Sequence, residues 1–248
     1  MYITTTGLVL RETEYKESSR ILTVLTSTEG KLTVSARGAK RRGSKTAAST
    51  QLLAFSEMTL YKGRDNKWTL TEARSLELFD GIRDELELLS LGSYFAEVME
   101  SVSDEDSPSP EILSLGLNSL YALSRRLKSA EMVKAAFELR MMCLAGYEPI
   151  LEACCVCGNS EPEKGYLDLV GGIISCAKCS GFGELMTPLR GGALQAARYI
   201  IQSEPKKIFS FTLDDDALHE LGYACENYLL TQMDRGFRTL EFYKSVNI

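Results

Sequence analysis

The sequence predicts an α+β protein in which a small β-barrel precedes a helical domain that carries a metal-binding insert. Three observations predict this architecture. Apolar and polar residues alternate over the first 80 residues, the apolar spacing then becomes helical, and four later cysteines form a C-x2-C…C-x2-C array. At 248 residues the chain is long enough to bury one large core or two modest ones.

Five short segments of the N-terminal part are rich in Thr, Val, Leu and Tyr, and most of them alternate apolar with polar residues, as half-buried strands do. They are residues 5–11, 20–27, 30–36, 56–62 and 68–73. Glu29-Gly30 predicts a tight hairpin, and residues 63–66 predict a second turn. Because so small a sheet leaves costly open edges, we expect it to close into a barrel.

Helical spacing begins near residue 76. The apolar residues that carry it are Leu76, Phe79, Ile82, Leu86 and Leu89, and residues 91–102 continue the pattern. Further helices are predicted over residues 111–127, 130–145, 189–203 and 214–235. Gly146 stands where a glycine ends a helix. The predicted divisions are 1–78 for the barrel, 79–149 and 186–248 for the two parts of the helical domain, and 150–185 for the insert.

The cysteine array is the clearest chemical signal in the chain. Its members are Cys154, Cys157, Cys176 and Cys179, with 18 residues between the two halves. Each two-residue gap aims two thiolates at one point, and tetrahedral sulfur selects zinc, with an iron–sulfur cluster as the main competitor. Four protein ligands leave no position for substrate, so the site is predicted to be structural. Cys155 is a possible alternative ligand, Cys143 and Cys225 are predicted core residues, and residues 167–169 and 172–175 predict a hairpin.

The net charge of −6 is unevenly distributed. Residues 1–80 carry 13 basic and 9 acidic side chains, whereas residues 81–248 carry 15 and 25. Within the basic half, the segment 37–45 holds five cations and no acid. They are Arg37, Lys40, Arg41, Arg42 and Lys45. Clustered cations on a loop of a small barrel favour phosphate binding, while the alternative is a solvated charged loop.

Three aromatic residues are candidates for stacking on bases at the same surface. They are Tyr15, Tyr61 and Trp68. For Trp68 the alternative is that the ring closes one end of the barrel. Phe55 is predicted to belong to the core.

Enzyme signatures are missing from the sequence. His219 is the only histidine, and neither a P-loop nor a GxSxG motif occurs. The pairs Asp104/Asp106 and Asp214/Asp216 could bind Mg²⁺ for nuclease chemistry, but their positions at a turn and a helix start favour capping. We therefore expect that the protein is not an enzyme. A metal-dependent nuclease and a protein-interaction scaffold without DNA binding stay as alternatives.

Location is predicted from two further absences. No run of 18 apolar residues occurs, so no transmembrane helix is expected. The N-terminus lacks the pattern of a secretory signal, so seven cysteines indicate a reducing compartment and a cytoplasmic protein.

At the level of motifs the chain resembles the RecO family of recombination and repair proteins. The segments that carry the resemblance are GLVLR (7–11), RILTVLT (20–26), GKL (30–32), ARGAKR (36–41), FELR (137–140), GYEP (146–149), CCVCG (154–158) and GIISCAKC (172–179). Each segment alone is modest, but their order and spacing are right over nearly the whole chain. Two positions differ from residues that are common in the family. Lys16 stands in place of a glycine, and Ala54 stands in place of a proline. Both differences affect the geometry of turns.

The resemblance implies an OB-fold barrel followed by a helical domain with a zinc-binding insert that has four cysteine ligands. It implies a bacterial mediator that binds single- and double-stranded DNA and anneals complementary strands. With RecR, such a mediator helps load RecA onto DNA coated with single-strand-binding protein, whose acidic C-terminal tail it contacts. The resemblance assigns DNA binding to the basic segment 37–45. It also predicts that the cytoplasmic protein associates with the nucleoid. Since some relatives lack the cysteine array, zinc is not expected to be required for the shared activity. Arg125, Arg126 and Lys128 form a basic group that could meet the tail.

Overall fold

The structure is a computed structural model that describes residues 1–105, 107–179, 181 and 185–246. Its N-terminal part contains five strands. They are β1 (Tyr2–Tyr15), β2 (Ser19–Thr26), β3 (Gly30–Ala36), β4 (Phe55–Lys62) and β5 (Trp68–Glu77). All five predicted strands are confirmed.

The five strands close into a barrel in the order β1-β2-β3-β5-β4, with β4 pairing back onto β1. Neighbours are antiparallel except β3 and β5, which meet in parallel at Val34 and Trp68. A closed barrel of this order is OB-like, as predicted. Alternate residues of each strand fill its interior, and closure leaves no open edge. The buried core includes Val9, Leu22, Val24, Leu32, Val34, Met58, Leu60 and Leu70.

The prediction that helical structure begins near residue 76 is wrong. Strand β5 continues to Glu77, whose backbone pairs with Phe55 of β4, and Leu76 stays exposed. Phe79 then adopts a left-handed conformation with φ of 51°. Arg83 fixes the following turn by donating to the carbonyls of Leu78 and Leu52 at 2.9 and 2.8 Å. Pairing with β4 therefore keeps the chain extended through Glu77, although the three-residue spacing of Leu76, Phe79 and Ile82 favours a helix.

Seven α-helices are found in the described ranges. They are α1 (Asp80–Arg83), α2 (Leu86–Val102), α3 (Pro110–Ser124), α4 (Ala130–Leu144), α5 (Gly191–Gln202), α6 (Asp215–Met233) and α7 (Arg238–Val246). Helix α7 was not predicted from the sequence. None of the helices in the described part of the chain is long and apolar enough to cross a membrane.

The chain forms two compact units. The first comprises residues Met1–Arg125 and the C-terminal segment that begins at Phe237, and the second comprises Arg126–Gly236. In the first unit α7 returns to α2, where the amide of Thr239 donates to the Glu97 carboxylate at 3.2 Å. The predicted division had placed α1, α2 and α3 in the first part of the helical domain and α7 in its second part, whereas the structure groups these four helices with the barrel.

The second unit combines α4, α5 and α6 with a small sheet. Its strands are β6 (Lys164–Asp168), β7 (Ile173–Cys176) and β8 (Met186–Arg190), in the order β7-β6-β8. The hairpin β6–β7 confirms the prediction, whereas β8 was missed and α5 begins two residues after the predicted start. Because β8 pairs with β6, the sheet extends beyond residue 185, where the predicted insert ended.

Helix α4 ends as its sequence predicted. Gly146 has φ of +90°, its amide donates to the Cys143 carbonyl at 3.2 Å, and the next amide donates to Met142 at 2.8 Å. A left-handed residue after the last turn lets the chain satisfy helix carbonyls that would otherwise stay unpaired.

Candidate nucleic-acid interface and metal centre

A cleft of about 1330 Å³ opens on one side of the barrel. Strands β2, β3 and β5 form its floor, with Ile21, Thr33 and Thr69 among the lining side chains. The β1–β2 and β4–β5 turns also line it, through Lys16 and through residues 63–67. In OB-folds the face of strands 2 and 3, flanked by these two loops, is where oligonucleotides and oligosaccharides bind.

Positive charge dominates this cleft. The basic side chains that line it in the described part of the chain are Lys16, Lys31, Arg37, Lys62, Arg64 and Lys67, against the acids Asp65 and Glu105. A concave surface of one sign focuses the electrostatic potential and attracts counter-ions of the other sign. The cleft is therefore suited to a polyanion.

Sequence reasoning identified one of these six cations, Arg37. Lys62, Arg64 and Lys67 were missed because Gly63 and its neighbours were interpreted only as a turn. Three cations flanking a predicted turn between two strands were the signal that could have revealed them. Lys16 and Lys31 gave no local signal, since only the closure of the barrel brings the β1–β2 turn and β3 to this face.

The basic segment 37–45 forms consecutive turns at the end of β3. Ala39 is buried in the barrel core, and the Lys40 amide donates to the Ser18 carbonyl at 3.1 Å. Gly38 and Gly43, with φ of 70° and 77°, allow the chain to reverse twice. The segment is thus held against the barrel at Ala39 and Lys40, while Arg41, Arg42 and Lys45 are exposed and do not line the cleft.

Two glutamates of β1 face basic partners across this region. Glu14 Oε1 lies 2.5 Å from Lys40 Nζ, and Glu12 Oε2 lies 3.2 Å from Arg20 Nη1. The hydrogen bond and the charge of Lys40 lower the pKa of Glu14. Lys40 is therefore the member of the predicted binding set whose charge is partly neutralised by the protein itself.

Trp68 lies in the barrel core and is only 6% exposed. The ammonium of Lys62 sits 5.1 Å from the centre of its ring. This burial favours the alternative that the ring closes one end of the barrel, and it leaves little ring surface for a base. The physical reason is its position as the first residue of β5, paired in parallel with Val34 of β3.

The other two predicted stacking residues are accessible. Tyr15 and Tyr61 both line the cleft and are 49% and 38% exposed. Lys16 Nζ lies 5.3 Å from the centre of the Tyr15 ring. Phe55, predicted to be a core residue, is half-buried at the start of β4.

In the second unit, the four predicted cysteines come together as a group that could hold a metal ion. The sulfurs of Cys154, Cys157, Cys176 and Cys179 all lie within 4.8 Å of one another. The Cys157 and Cys176 sulfurs are 3.8 Å apart. A tetrahedral ion with bonds of about 2.3 Å to sulfur requires an edge of about 3.8 Å, so these residues fit such an ion.

The local backbone prepares this group for a cation. Hydrogen bonds from the backbone amides of Cys157, Cys176 and Val156 lower the pKa of the Cys154 thiol to about 6. The neighbouring Cys176 and Cys157 sulfurs raise the pKa of Cys179 to about 12. Four sulfurs this close cannot all lose their protons unless a positive ion compensates the charge.

The remaining cysteines lie outside the group. Cys155 is exposed, its amide donates to the Ile174 carbonyl at 2.9 Å, and its sulfur is not one of the four that converge. Cys225 is buried as predicted, and Cys143 is partly buried. Burial raises the pKa of the Cys143 thiol to about 12, as expected of an unreactive structural cysteine.

The acidic pairs give mixed results. Asp214 caps α6 by accepting from the Ala217 amide at 2.8 Å, which confirms the predicted role for this residue. Asp104 contributes its carbonyl to the Lys31 amide at 3.2 Å. Asp106 lies outside the described residues.

The predicted basic group near residue 125 has local roles. Arg125 follows the last residue of α3 and lies 5.6 Å from the centre of the Tyr121 ring. In the second unit, Lys128 Nζ donates to the Phe211 carbonyl at 2.9 Å.

Family comparisons match both parts of the chain. Residues 1–79 match the model of the recombination protein O N-terminal domain, and residues 83–241 match that of its C-terminal domain. A DNA repair protein RecO of Acetivibrio thermocellus is 32% identical over 246 residues, covering 99% of this chain and 98% of its own. One of Alkaliphilus metalliredigens is 27% identical, covering 99% of this chain and all of its own. The chain therefore belongs to the RecO family of recombination and DNA repair proteins.

Proposed function

We propose that this protein is a DNA-binding recombination mediator that acts without catalysing a covalent reaction. In this proposal it anneals complementary single strands and, with RecR, helps load RecA onto DNA coated with single-strand-binding protein. The observation that supports it most is the basic cleft on the face of the barrel between the β1–β2 and β4–β5 turns. Six cations around one concave surface match a phosphate backbone better than a neutral ligand.

Annealing has a physical rationale in this arrangement. Cations of the cleft and of segment 37–45 neutralise the phosphates of one strand and reduce its repulsion of a second. A cleft that holds a strand mainly through its phosphates leaves most bases free to pair. The annealing step then needs neither nucleotide nor free metal.

Partner proteins and location belong to the same proposal. Membership of the RecO family supports RecR and the acidic tail of single-strand-binding protein as partners, RecA as an indirect one, and a cytoplasmic, nucleoid-associated location. Arg125, Arg126 and Lys128 are kept as the proposed group for the tail.

We also propose that the four-cysteine group holds one structural zinc ion. Four sulfur ligands and a 3.8 Å edge support tetrahedral zinc. When bound, the ion would join the two halves of a segment with few apolar residues of its own, and it would take no part in DNA chemistry.

Strand annealing tests the central proposal. Two complementary labelled oligonucleotides, each coated with single-strand-binding protein, are mixed with and without this protein in the presence of a chelator. Acceleration without ATP or free Mg²⁺ is the expected result. No acceleration by a folded protein contradicts annealing, and degradation of the label on adding Mg²⁺ or Mn²⁺ would favour a nuclease instead.

The cleft is tested by a charge variant and a matched control. Arg64→Ala/Lys67→Ala removes two cations from the β4–β5 turn, and Lys206→Ala/Lys207→Ala removes two from the second unit. The cleft variant should lower single-strand affinity by about 10-fold at low salt and reduce the salt dependence, while the control changes neither. Equal behaviour of the two variants contradicts the cleft. If the protein binds a partner protein but no oligonucleotide even at low salt, a scaffold role is favoured.

A further inference from the structure

Tyr2 and Tyr61 form an exposed aromatic pair beside the cleft. They are cross-strand partners in the β1–β4 ladder, with ring centres 4.9 Å apart and planes tilted by 45°. Tyr2 is 67% exposed and Tyr61 is 38% exposed. Tyr61 lines the cleft, so the pair extends the cleft wall outward.

The surroundings of the pair are polar. The next cross-strand partners on the same outward face are Thr4 with Thr59, whose hydroxyls are 3.4 Å apart, and then Thr6 with Glu57. Neither ring belongs to the barrel core, which is filled from the opposite face of these strands. Two large rings on a face otherwise lined by threonine and glutamate leave apolar surface in water, which is unfavourable unless a ligand covers it.

Cations stand next to these rings. Lys62 follows Tyr61 directly, and Arg64 and Lys67 lie on the turn that begins after Lys62. A nucleic-acid strand whose phosphates bind these cations would bring its bases to within reach of the adjacent aromatic surface. Duplex DNA keeps its bases stacked on each other and presents no free base face to such a ring.

We infer that Tyr2 and Tyr61 form a base-stacking platform that makes the cleft select unpaired bases over duplex DNA. The inference rests on the proposed DNA binding of the cleft and specifies its substrate class as single strands. The lysines and arginines supply affinity for phosphate in either form of DNA. The tyrosine pair supplies the preference for single strands, and its contribution is independent of salt because stacking releases no counter-ions.

A structural role for the pair predicts a different outcome. Aromatic pairs across two strands stabilise the sheet, so their loss can weaken binding through the barrel. Tyr2→Ile/Tyr61→Ile separates the two explanations, since isoleucine keeps an apolar residue with high strand propensity but removes the ring face. Tyr2→Phe/Tyr61→Phe keeps the ring faces and is the matched control.

The experiment measures fluorescence anisotropy with three labelled ligands of equal length across a range of salt. They are a single strand, the same strand with every base removed but all sugars and phosphates kept, and a blunt duplex. The emission of Trp68, the only tryptophan, reports without DNA whether the barrel of each variant is intact.

We expect the isoleucine variant to bind the single strand about 5-fold or more weakly, with an unchanged slope of log affinity against log salt. Its affinities for the abasic strand and the duplex should match those of the wild-type protein, and the phenylalanine variant should bind all three normally. An equal loss on all three ligands, or no loss while Arg64→Ala/Lys67→Ala still weakens binding, overturns the platform. If the wild-type protein binds none of the ligands, the proposed function itself fails.

Discussion

The ammonium of Lys40 and the carboxylate of Glu14 form an ion pair with an Nζ–Oε1 distance of 2.5 Å. Lys40 is one of five cations that the sequence predicted to bind DNA, yet the structure gives it an acidic partner on β1. The Glu14 side chain is 77% exposed, so this is a surface pair that a phosphate can replace. The pair therefore lowers the charge that segment 37–45 offers to DNA.

Removing the acid should increase DNA affinity. Glu14→Gln keeps the shape of the side chain and releases the charge of Lys40. We expect single-strand affinity to rise about two- to threefold at low salt and the gain to vanish at high salt, since exposed pairs are weak and screened. Anisotropy titrations of Glu14→Gln and Glu14→Gln/Lys40→Ala measure this. A gain that survives in the double variant would mean that Lys40 is not its source.

The basic segment itself should contribute through charge. Lys40→Ala/Arg41→Ala/Arg42→Ala should weaken DNA binding and reduce the slope of log affinity against log salt by about 0.7 for each phosphate that the segment no longer neutralises. Arg74→Ala/Lys206→Ala/Lys207→Ala removes the same charge elsewhere and serves as control. If affinity and slope of the first variant stay at the wild-type values, the assignment of segment 37–45 is wrong.

Trp68 should matter for stability and not for binding. Trp68→Ala removes a ring buried in the barrel core and should lower the free energy of unfolding by roughly 3–5 kcal/mol. Trp68→Phe keeps an aromatic ring in the core, so single-strand affinity should stay within about twofold of wild type. Denaturant unfolding and anisotropy measure the two quantities. A large loss of affinity in a stable Trp68→Phe protein would restore the stacking role.

Metal content should follow the four-cysteine group. The wild-type protein should contain about one zinc ion per chain, and Cys154→Ala or Cys179→Ala should lose it together with thermal stability of the second unit. Cys155→Ala is the matched control, because its side chain lies outside the group and should change neither property. Elemental analysis and thermal unfolding check this. A metal-free protein of full stability would contradict the structural role.

A buried ion triad should stabilise the second unit. Lys134 Nζ lies 2.8 Å from both Glu138 Oε1 and Glu226 Oε2, and the Glu138 side chain is fully buried. Burial by itself lowers the pKa of Lys134, but the two carboxylates outweigh burial and raise it. Because the folded pKa is raised, the contribution to stability is complete at neutral pH and is lost only as the pH rises through that value.

Lys134→Met should therefore lower the free energy of unfolding by roughly 3–5 kcal/mol at neutral pH, since it removes the cation that pairs with the Glu138 and Glu226 carboxylates. Lys134→Met/Glu138→Leu/Glu226→Gln should recover most of the loss, because it removes the buried charges together. Denaturant unfolding measures both. If the single variant is as stable as wild type, the triad contributes nothing to stability.

The sequence by itself determined the local features of this protein. Alternation, together with a high content of Thr, Val, Leu and Tyr, located the five strands because a half-buried strand places apolar side chains at every second residue. The spacing of Cys154, Cys157, Cys176 and Cys179 predicted their convergence because each two-residue gap confines its pair of sulfurs to one turn. Gly146 and Asp214 marked helix ends through backbone conformation and a capping side chain, which are also local.

Only the tertiary structure decided what depends on pairing across distance. The end of β5 extends through Leu76 because β4 supplies a partner, and β8 forms because β6 does. The same reason places Lys16, Lys31 and Lys67 around one cleft, buries Trp68, and sets Tyr2 against Tyr61. Contacts between residues far apart in the chain leave no period or motif in a single sequence, so the binding face became visible only when the barrel was closed.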